Sequence, residues 1–190
     1  MLRNPNYVYG PQSVRVPANL NFGDYILAKF WEHRQKIALI NGATDERLTY
    51  GDIAQQAMNF AVSLTRMGVR KGDTIGLMSE NRHEFWSAVL GVACAGAVLT
   101  TVSTGYVKGE IIHVTNISKP KYMICSPAMY KLHAKTLNSL NFIKTIMLFG
   151  EEKHQNVLMY NDLVFESNGQ VKNVKYEEFQ SVEVQGQTDT

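Results

Sequence analysis

The chain has 190 residues, 45% of them apolar and 19% charged, which fits a folded domain with its own core and excludes an intrinsically disordered protein. The formal net charge of +2 is too small to indicate nucleic-acid binding by itself. Both cysteines lie in apolar runs without a CxxC or Cys/His cluster. Cys94 and Cys125 are therefore interpreted as buried free thiols of a reducing compartment, not as zinc ligands.

The charges divide the chain into two regions. Residues 1–150 carry 16 Lys/Arg against nine Asp/Glu, whereas residues 151–190 carry three against eight. A basic body can serve an anionic ligand such as a nucleotide or CoA, but a solvated surface followed by a polar connector is the favoured interpretation. The predicted organisation is an α/β subdomain at 1–150 with an N-terminal arm at 1–19, followed by an acidic connector at 151–190.

Helix-like and strand-like segments alternate from residue 20 to residue 149. The predicted strands are 37–40, 47–49, 74–78, 97–102, 122–124 and 145–149. The predicted helices are about 21–35, 49–68, 82–95, 108–116 and 126–140. Apolar strands separated by helices of this length pair in parallel with both sheet faces covered. The fold class is therefore α/β, a doubly wound and mostly parallel sheet with helices on both faces.

Polar residues mark the predicted helix ends. Asn21, Thr49 and Ser126 are placed as N-caps, and Asn81 with Glu84 three residues later is interpreted as a capping box. Gly68 occupies the position after the second helix that requires a left-handed residue. Beyond residue 150 the pattern weakens to a possible short helix at 157–165 and a turn at 167–169.

The stretch from residue 85 to residue 107 contains no charged side chain and is long enough to cross a membrane. Its glycines, together with the change from helix-compatible to strand-compatible residues at Gly96, favour a buried helix, a turn and a buried strand. Glycines also recur between residues 91 and 96, a spacing interpreted as close helix–sheet packing because no lysine of a phosphate loop accompanies it.

Searches for catalytic patterns give no site. The sequence lacks GxxxxGK[ST], GxGxxG after a strand, HExxH and GxSxG. Three histidines, His33, His83 and His133, are interpreted as surface residues, and His83 with Glu84 as neighbours that cannot face each other on a helix. Glu110 and His113 are three apart and are expected to form a surface pair. No catalytic or metal residue is predicted, and cofactor-binding residues stay unassigned.

Four segments in order resemble the adenylate-forming superfamily of acyl-CoA synthetases, 4-coumarate–CoA ligases and insect luciferase-like enzymes. They are 48–53 (Leu-Thr-Tyr-Gly-Asp-Ile), 67–75 (Met-Gly-Val-Arg-Lys-Gly-Asp-Thr-Ile), 80–91 beginning Glu-Asn-Arg-His-Glu-Phe, and 96–98 (Gly-Ala-Val) with Tyr106, Glu110 and Ile111 downstream. Segments 79–81 and 116–120 are most similar to the luciferase-like branch, which includes fatty acyl-CoA synthetases. One departure is Val107-Lys108 where the family usually has Thr-Pro, so the next helix should start loosely or be capped by Thr104.

The resemblance implies a parent enzyme that joins a carboxylate to AMP, using MgATP, and then transfers the acyl group to CoA. In the family the phosphate loop begins a few residues beyond a stretch like 182–190, so the resemblance implies that this chain alone binds no ATP, Mg²⁺ or CoA and is inactive. Its expected partners are the rest of its own large domain and a mobile C-terminal domain, with a small carboxylate as the parent's substrate. Neither nucleic acid nor a transmembrane segment is expected.

Alternatives remain open. The chain could be a stand-alone nucleotide- or CoA-binding module that uses strand ends at a topological switch point, or a protein-interaction module. Apolar surface that normally meets the rest of the parent makes self-association plausible. With no apolar signal segment at residues 1–17, an intracellular location is expected, either cytoplasmic or peroxisomal.

Overall fold

A computed structural model describes residues 21–165 and 173–184. The predicted arm at 1–19 and the predicted turn at 167–169 lie outside the described residues. The described part contains these helices and strands in chain order: α1 Phe22–Glu32, β1 Ile37–Ile40, β2 Arg47–Thr49, α2 Tyr50–Arg66, β3 Thr74–Met78, α3 Glu84–Cys94, β4 Val98–Thr101, α4 Lys108–Ser118, β5 Tyr122–Cys125, α5 Pro127–Asn138, β6 Thr145–Leu148, β7 Leu158–Met159 and α6 Tyr160–Val164.

The main sheet is parallel and has five strands in the order β4-β3-β5-β6-β7, while β1 and β2 form a separate antiparallel hairpin. Alternate strand residues enter two cores. Ile75 and Leu77 face the core built with α1, α2, α3 and α6, whereas Met78 and Met123 face the core built with α4 and α5. Helices on both faces of a mostly parallel sheet confirm the predicted doubly wound α/β class.

Three predicted N-caps are confirmed. The Asn21 side chain accepts the Gly23 N–H at 2.7 Å, and the Ser126 hydroxyl accepts that of Met129 at 3.3 Å. Thr49 forms a reciprocal capping box. Its hydroxyl accepts the Asp52 N–H, and the Asp52 carboxylate accepts the Thr49 N–H. These local bonds explain why the starts of α1, α2 and α5 could be predicted from short stretches of sequence.

Gly68 ends α2 as predicted, with φ of +88°. The Gly68 N–H donates to the Thr65 carbonyl and the Val69 N–H to the Leu64 carbonyl, which is the Schellman arrangement of a helix end. The glycine at residue 91 acts differently from the prediction. A Cβ there would lie 2.8–3.1 Å from atoms of Phe60 and Ala57, so it permits close approach of α3 to α2 and not to the sheet.

The predicted capping box at Asn81 and Glu84 is wrong. The helix begins at Glu84, two residues later than predicted, and its N-cap position is His83, which makes no side-chain capping bond. The Glu84 carboxylate has turned to Arg82 instead, because a bidentate guanidinium partner stabilises a buried carboxylate more than a single backbone N–H does. At α4, Val107 occupies the N-cap position without a side-chain cap, and the Glu110 carboxylate accepts its N–H at 2.9 Å.

The uncharged stretch forms α3, a turn at Gly96 and β4, as predicted. No helix in the described ranges is long and apolar enough to cross a membrane. The prediction that the following strand is buried is wrong, because β4 lies at the edge of the sheet and leaves Val98 48% exposed. His133 also departs from its prediction as a surface residue, because it is buried on the same side of α5 as Thr136 and Leu137.

Residues 173–184 pack back onto the helices. The Tyr176 ring stacks on Trp31 with centroids 4.6 Å apart, and the Val182 N–H donates to the Cys94 carbonyl at 2.9 Å. On the α2 side, Asn59 donates to Asn173 at 3.1 Å. We refer to residues 173–184 as the strap. The predicted division of the chain at residue 150 stays a prediction.

Candidate functional site

The sheet changes winding direction between β3 and β5. After β3 the chain passes to β4 on one side and then returns to place β5 on the other side, with Met78 and Cys125 paired at the carboxyl ends. In open α/β sheets, the two loops that leave such a switch point diverge and leave a crevice that commonly binds ligands. The loops that follow β3 and β5 are therefore the first place to look for a site.

A serine and a glutamate connect these two loops. Ser126 directly follows β5, and Glu80 lies two residues after β3. The Ser126 hydroxyl donates to Oε2 of Glu80 at 2.5 Å. Ser126 is buried and also caps α5, so it holds the Glu80 carboxylate and the start of that helix together. The polar side chains at the switch point are consequently fixed by one another.

Arg82 and Glu84 form a bidentate ion pair in the same loop. Nε of Arg82 donates to Oε2 of Glu84 at 3.0 Å and Nη2 donates to Oε1 at 2.8 Å. Burial on its own raises the pKa of Glu84, but the hydrogen bonds and charge of Arg82 outweigh it and leave the pKa below its ordinary value. The hydrogen bond to Glu84 in turn raises the pKa of Arg82, so both groups are charged at neutral pH.

His83 lies between two carboxylates. Its Nε2 is 3.6 Å from Oε2 of Glu84 and its Nδ1 is 3.9 Å from Oε2 of Glu46 on the hairpin. The prediction that His83 and Glu84 cannot meet is wrong, because His83 precedes the helix and does not share a helical face with Glu84. The predicted surface pair of Glu110 and His113 does not form. The Glu110 carboxylate accepts the Val107 N–H instead, and His113 is exposed.

A cleft of about 720 Å³ lies between the β1–β2 hairpin and the loop after β3. Glu46, Glu80, Arg82 and His83 line its polar side, and Trp86 lines its apolar side together with hairpin residues. Because Arg82 is engaged by the buried Glu84, the two exposed carboxylates leave this cleft acidic. Such a cleft repels a polyphosphate and offers no strong nucleophile.

The thiols take no part in this cleft. Both cysteines are free and buried, as predicted. Burial raises the pKa of Cys94 to about 12 and raises that of Cys125 further, so neither is a thiolate at neutral pH. Within residues 21–165 and 173–184, no cluster of His, Cys, Asp and Glu could hold a metal ion.

Sequence reasoning assigned no catalytic or metal residue, and that assignment stays a prediction. It named Glu80 and Arg82 as parts of a motif, and it did not predict that Ser126 would bind Glu80. A usable signal was present, because polar residues directly follow two buried strands that are neighbours in the sheet, Thr74–Met78 and Tyr122–Cys125. Strands that are adjacent and parallel bring such residues to one edge.

Comparison with known proteins places the chain in a family. The sequence model of the AMP-binding enzymes matches residues 28–187. The chain is 27% identical to luciferin 4-monooxygenase of Photuris pensylvanica over 150 residues, or 77% of this chain and 28% of that protein. It is 33% identical to a medium/long-chain-fatty-acid–CoA/3-oxocholest-4-en-26-oate–CoA ligase of Mycobacterium marinum over 132 residues, 70% of this chain and 24% of that ligase.

Solved structures agree on the fold. A red-emitting luciferase from Phrixothrix hirtus superimposes with a TM-score of 0.82 at 21% identity, covering 94% of this chain and 42% of that one. The anthranilate–CoA ligase AuaEII superimposes with a TM-score of 0.71 at 20% identity, covering 87% and 32%. The chain belongs to the AMP-binding enzyme family, and the resemblance to adenylate-forming enzymes is confirmed. It spans less than half of the length of these relatives.

Proposed function

We propose that this chain is the N-terminal scaffold of an ATP-dependent carboxylate–CoA ligase, of the fatty acyl-CoA synthetase or luciferase-like type. The observation that carries the proposal is the family match over residues 28–187, with acid–CoA ligases among the relatives. In the parent, a carboxylate would attack the α-phosphate of ATP, and CoA would then displace AMP. This chain contributes the capped helices and the parallel sheet on which such a site is built.

The cleft does not fit the nucleotide. A triphosphate requires unpaired cations or backbone N–H donors, whereas Arg82, the only guanidinium that the described residues contribute to this cleft, is held by Glu84 at 2.8–3.0 Å. Glu46 and Glu80 add negative charge beside it. ATP, Mg²⁺ and CoA are therefore assigned to the parent enzyme, and we derive no catalytic step from the residues of this chain.

The proposal is tested by activity and by binding. Incubated with ATP, Mg²⁺ and a fatty acid, the chain should release pyrophosphate no faster than buffer, whereas the Mycobacterium marinum ligase serves as the positive control. Titration calorimetry with ATP, AMP and CoA should show no heat of binding up to millimolar concentrations. Pyrophosphate release above buffer contradicts the scaffold assignment, and micromolar nucleotide binding assigns the chain instead to a stand-alone binding module.

The proposed role also gives expectations for partners and location. The parent's remaining large domain and its mobile C-terminal domain are the proposed partners, and the proposed compartment is the cytoplasm or the peroxisome. Val98, 48% exposed on the edge strand β4, supports a covering partner, because an open sheet edge with an apolar side chain is a template for pairing. Co-purification of a separately expressed remainder of the parent would test this partnership.

A further inference from the structure

Besides Lys71, five cations lie at the amino edge of the parallel sheet, opposite the acidic cleft. All of them are exposed and lie where a helix ends or where the chain turns into β3, β5 or β6. We name this group the basic edge, and its members are Arg66, Arg70, Lys119, Lys121 and Lys144. Neighbouring strands are about 4.8 Å apart, so side chains at the starts of β5 and β6 point outward side by side.

Two of these cations, Lys121 and Lys144, act on one carboxylate, that of Asp73. Burial raises the pKa of Asp73, but the hydrogen bond and charge of Lys121, with the nearby charge of Lys144, lower it below its ordinary value overall. The turns are also joined directly, because the Lys144 N–H donates to the Lys121 carbonyl at 2.7 Å. Asp73 forms a salt bridge with Lys121 and so neutralises one of the five charges.

An exposed aliphatic side chain lies near one of these cations in the chain. Ile117, in the last turn of α4, is 73% exposed, the largest value among the large apolar side chains of the described residues. It lies two positions before Lys119 and five before the start of β5, and so at the same edge. Cations near helix C-termini can be explained by the helix dipole, but an exposed isoleucine cannot.

We propose that the basic edge and Ile117 form a contact surface for an anionic lipid bilayer. Lipid phosphates would neutralise the cations, and the isoleucine would enter the boundary between headgroups and acyl chains. A nucleic acid would profit from the cations but would gain nothing from a lone aliphatic side chain, because bases bind by stacking on aromatic rings. This surface goes beyond the proposed function and requires neither ATP nor catalysis.

The test is flotation of the 190-residue chain with vesicles. Vesicles of phosphatidylcholine with 30 mol% phosphatidylserine should bind it, and pure phosphatidylcholine should bind it at least about 10-fold more weakly. Raising NaCl from 0.1 to 0.5 M should weaken binding by a similar factor, because screening shortens the reach of the charges. Equal binding to both vesicle types, or no binding up to millimolar lipid, would overturn the proposal.

Two pairs of variants separate the basic edge from net charge. The triple variant R70Q/K119Q/K144Q should bind anionic vesicles roughly 100-fold more weakly, given about 1 kcal/mol for each cation near the surface. The control R47Q/K29Q/K153Q removes the same charges from α1, β2 and the loop after β6. Its affinity for anionic vesicles should stay within about 3-fold of that of the unmodified 190-residue chain. An equal loss of affinity in both triple variants would refute a localised surface.

The second pair examines the apolar contact. Ile117→Ser should weaken vesicle binding by roughly 5-fold or more, whereas Leu132→Ser, at a similarly exposed position of α5, should leave it unchanged. A short DNA duplex supplies the competing outcome. Duplex binding as tight as vesicle binding, reduced in the R70Q/K119Q/K144Q triple and indifferent to Ile117→Ser, would assign the surface to nucleic acid and overturn the lipid proposal.

Discussion

The ion pair of Arg82 and Glu84 is the most consequential contact between single residues at the switch point. Glu84 is 3% exposed and both of its oxygens accept from the guanidinium. Glu84→Gln keeps the shape but removes the charge, so we expect the free energy of unfolding to fall by about 2 kcal/mol. Urea denaturation at pH 7 measures this. Glu46→Gln, at a half-exposed glutamate of the same cleft, should change the value by less than about 0.5 kcal/mol.

The effect of Glu84→Gln should depend on pH. The folded pKa of Glu84 is below its ordinary value of 4.5, so its stabilisation is complete above pH 4.5 and is lost as pH falls towards the folded pKa. The difference between wild type and variant should therefore narrow below pH 4.5. A difference that stays constant down to pH 3 would show that the charge is not what stabilises the fold.

The same glutamate shows where sequence reasoning ended at this scale. A carboxylate three residues after Asn81 fits a capping box, and the prediction chose that partner because it is local. The sequence also contains Arg82, but helix spacing rules do not apply to a residue outside the helix, so no pattern distinguished the two partners. Ser126 was likewise predicted as a cap, while its bond to Glu80 joins residues that are 46 positions apart in the chain.

The ends of helices are where sequence and structure agree best. Gly68→Ala should lower the free energy of unfolding by about 1 kcal/mol, because φ of +88° disfavours a side chain although no atom lies within 4 Å of the added Cβ. Gly109→Ala is the matched control in the first turn of α4, again with open space around the Cβ. It should raise stability by about 0.5 kcal/mol through helix propensity. If both variants lowered the free energy of unfolding equally, the positive φ of Gly68 could not be the cause.

The strap illustrates an element that local patterns could not place. Its contacts join residues more than 100 positions apart, as in the bond from Gln55 to the Val174 carbonyl, and its own sequence has no strong period. Composition therefore indicated a polar connector, whereas residues 173–184 lie against α1 and α2. Non-local packing of this kind is decided by the shape of the helices that receive it.

Tyr176→Ala should release part of the strap without unfolding the sheet. Loss of the stacked ring removes about 1 kcal/mol and exposes Trp31. In a Trp86→Phe background, which isolates the Trp31 signal, the emission should shift to the red. Amide exchange at Val174 and Val182 should accelerate roughly 10-fold while β3 amides keep their protection. Uniform acceleration would show that the strap and the sheet unfold as one unit.

At the scale of the whole molecule, the sequence predicted the layers but not the order of the strands. Apolar strands alternating with amphipathic helices suffice for a parallel sheet covered on both faces. The position of each strand depends on which way each crossover passes, and the residues of β4 do not encode that. An uncharged strand was therefore predicted to be buried, whereas β4 is an edge that pairs, among the described strands, with β3 alone. The same strand order determines which loops line the acidic cleft and which strand starts form the basic edge.

The open edge leads to a prediction about association. An edge strand with an exposed valine is a template for pairing with another chain, and charged residues are the usual protection. We expect the chain to self-associate at high micromolar concentration, and Val98→Lys to shift it to monomer in sedimentation velocity. Leu132→Lys adds the same charge at an exposed apolar site on α5 and should leave association unchanged. If both lysine variants shift the chain to monomer, net charge and not the β4 edge governs association. If neither variant does, the contact lies elsewhere on the surface.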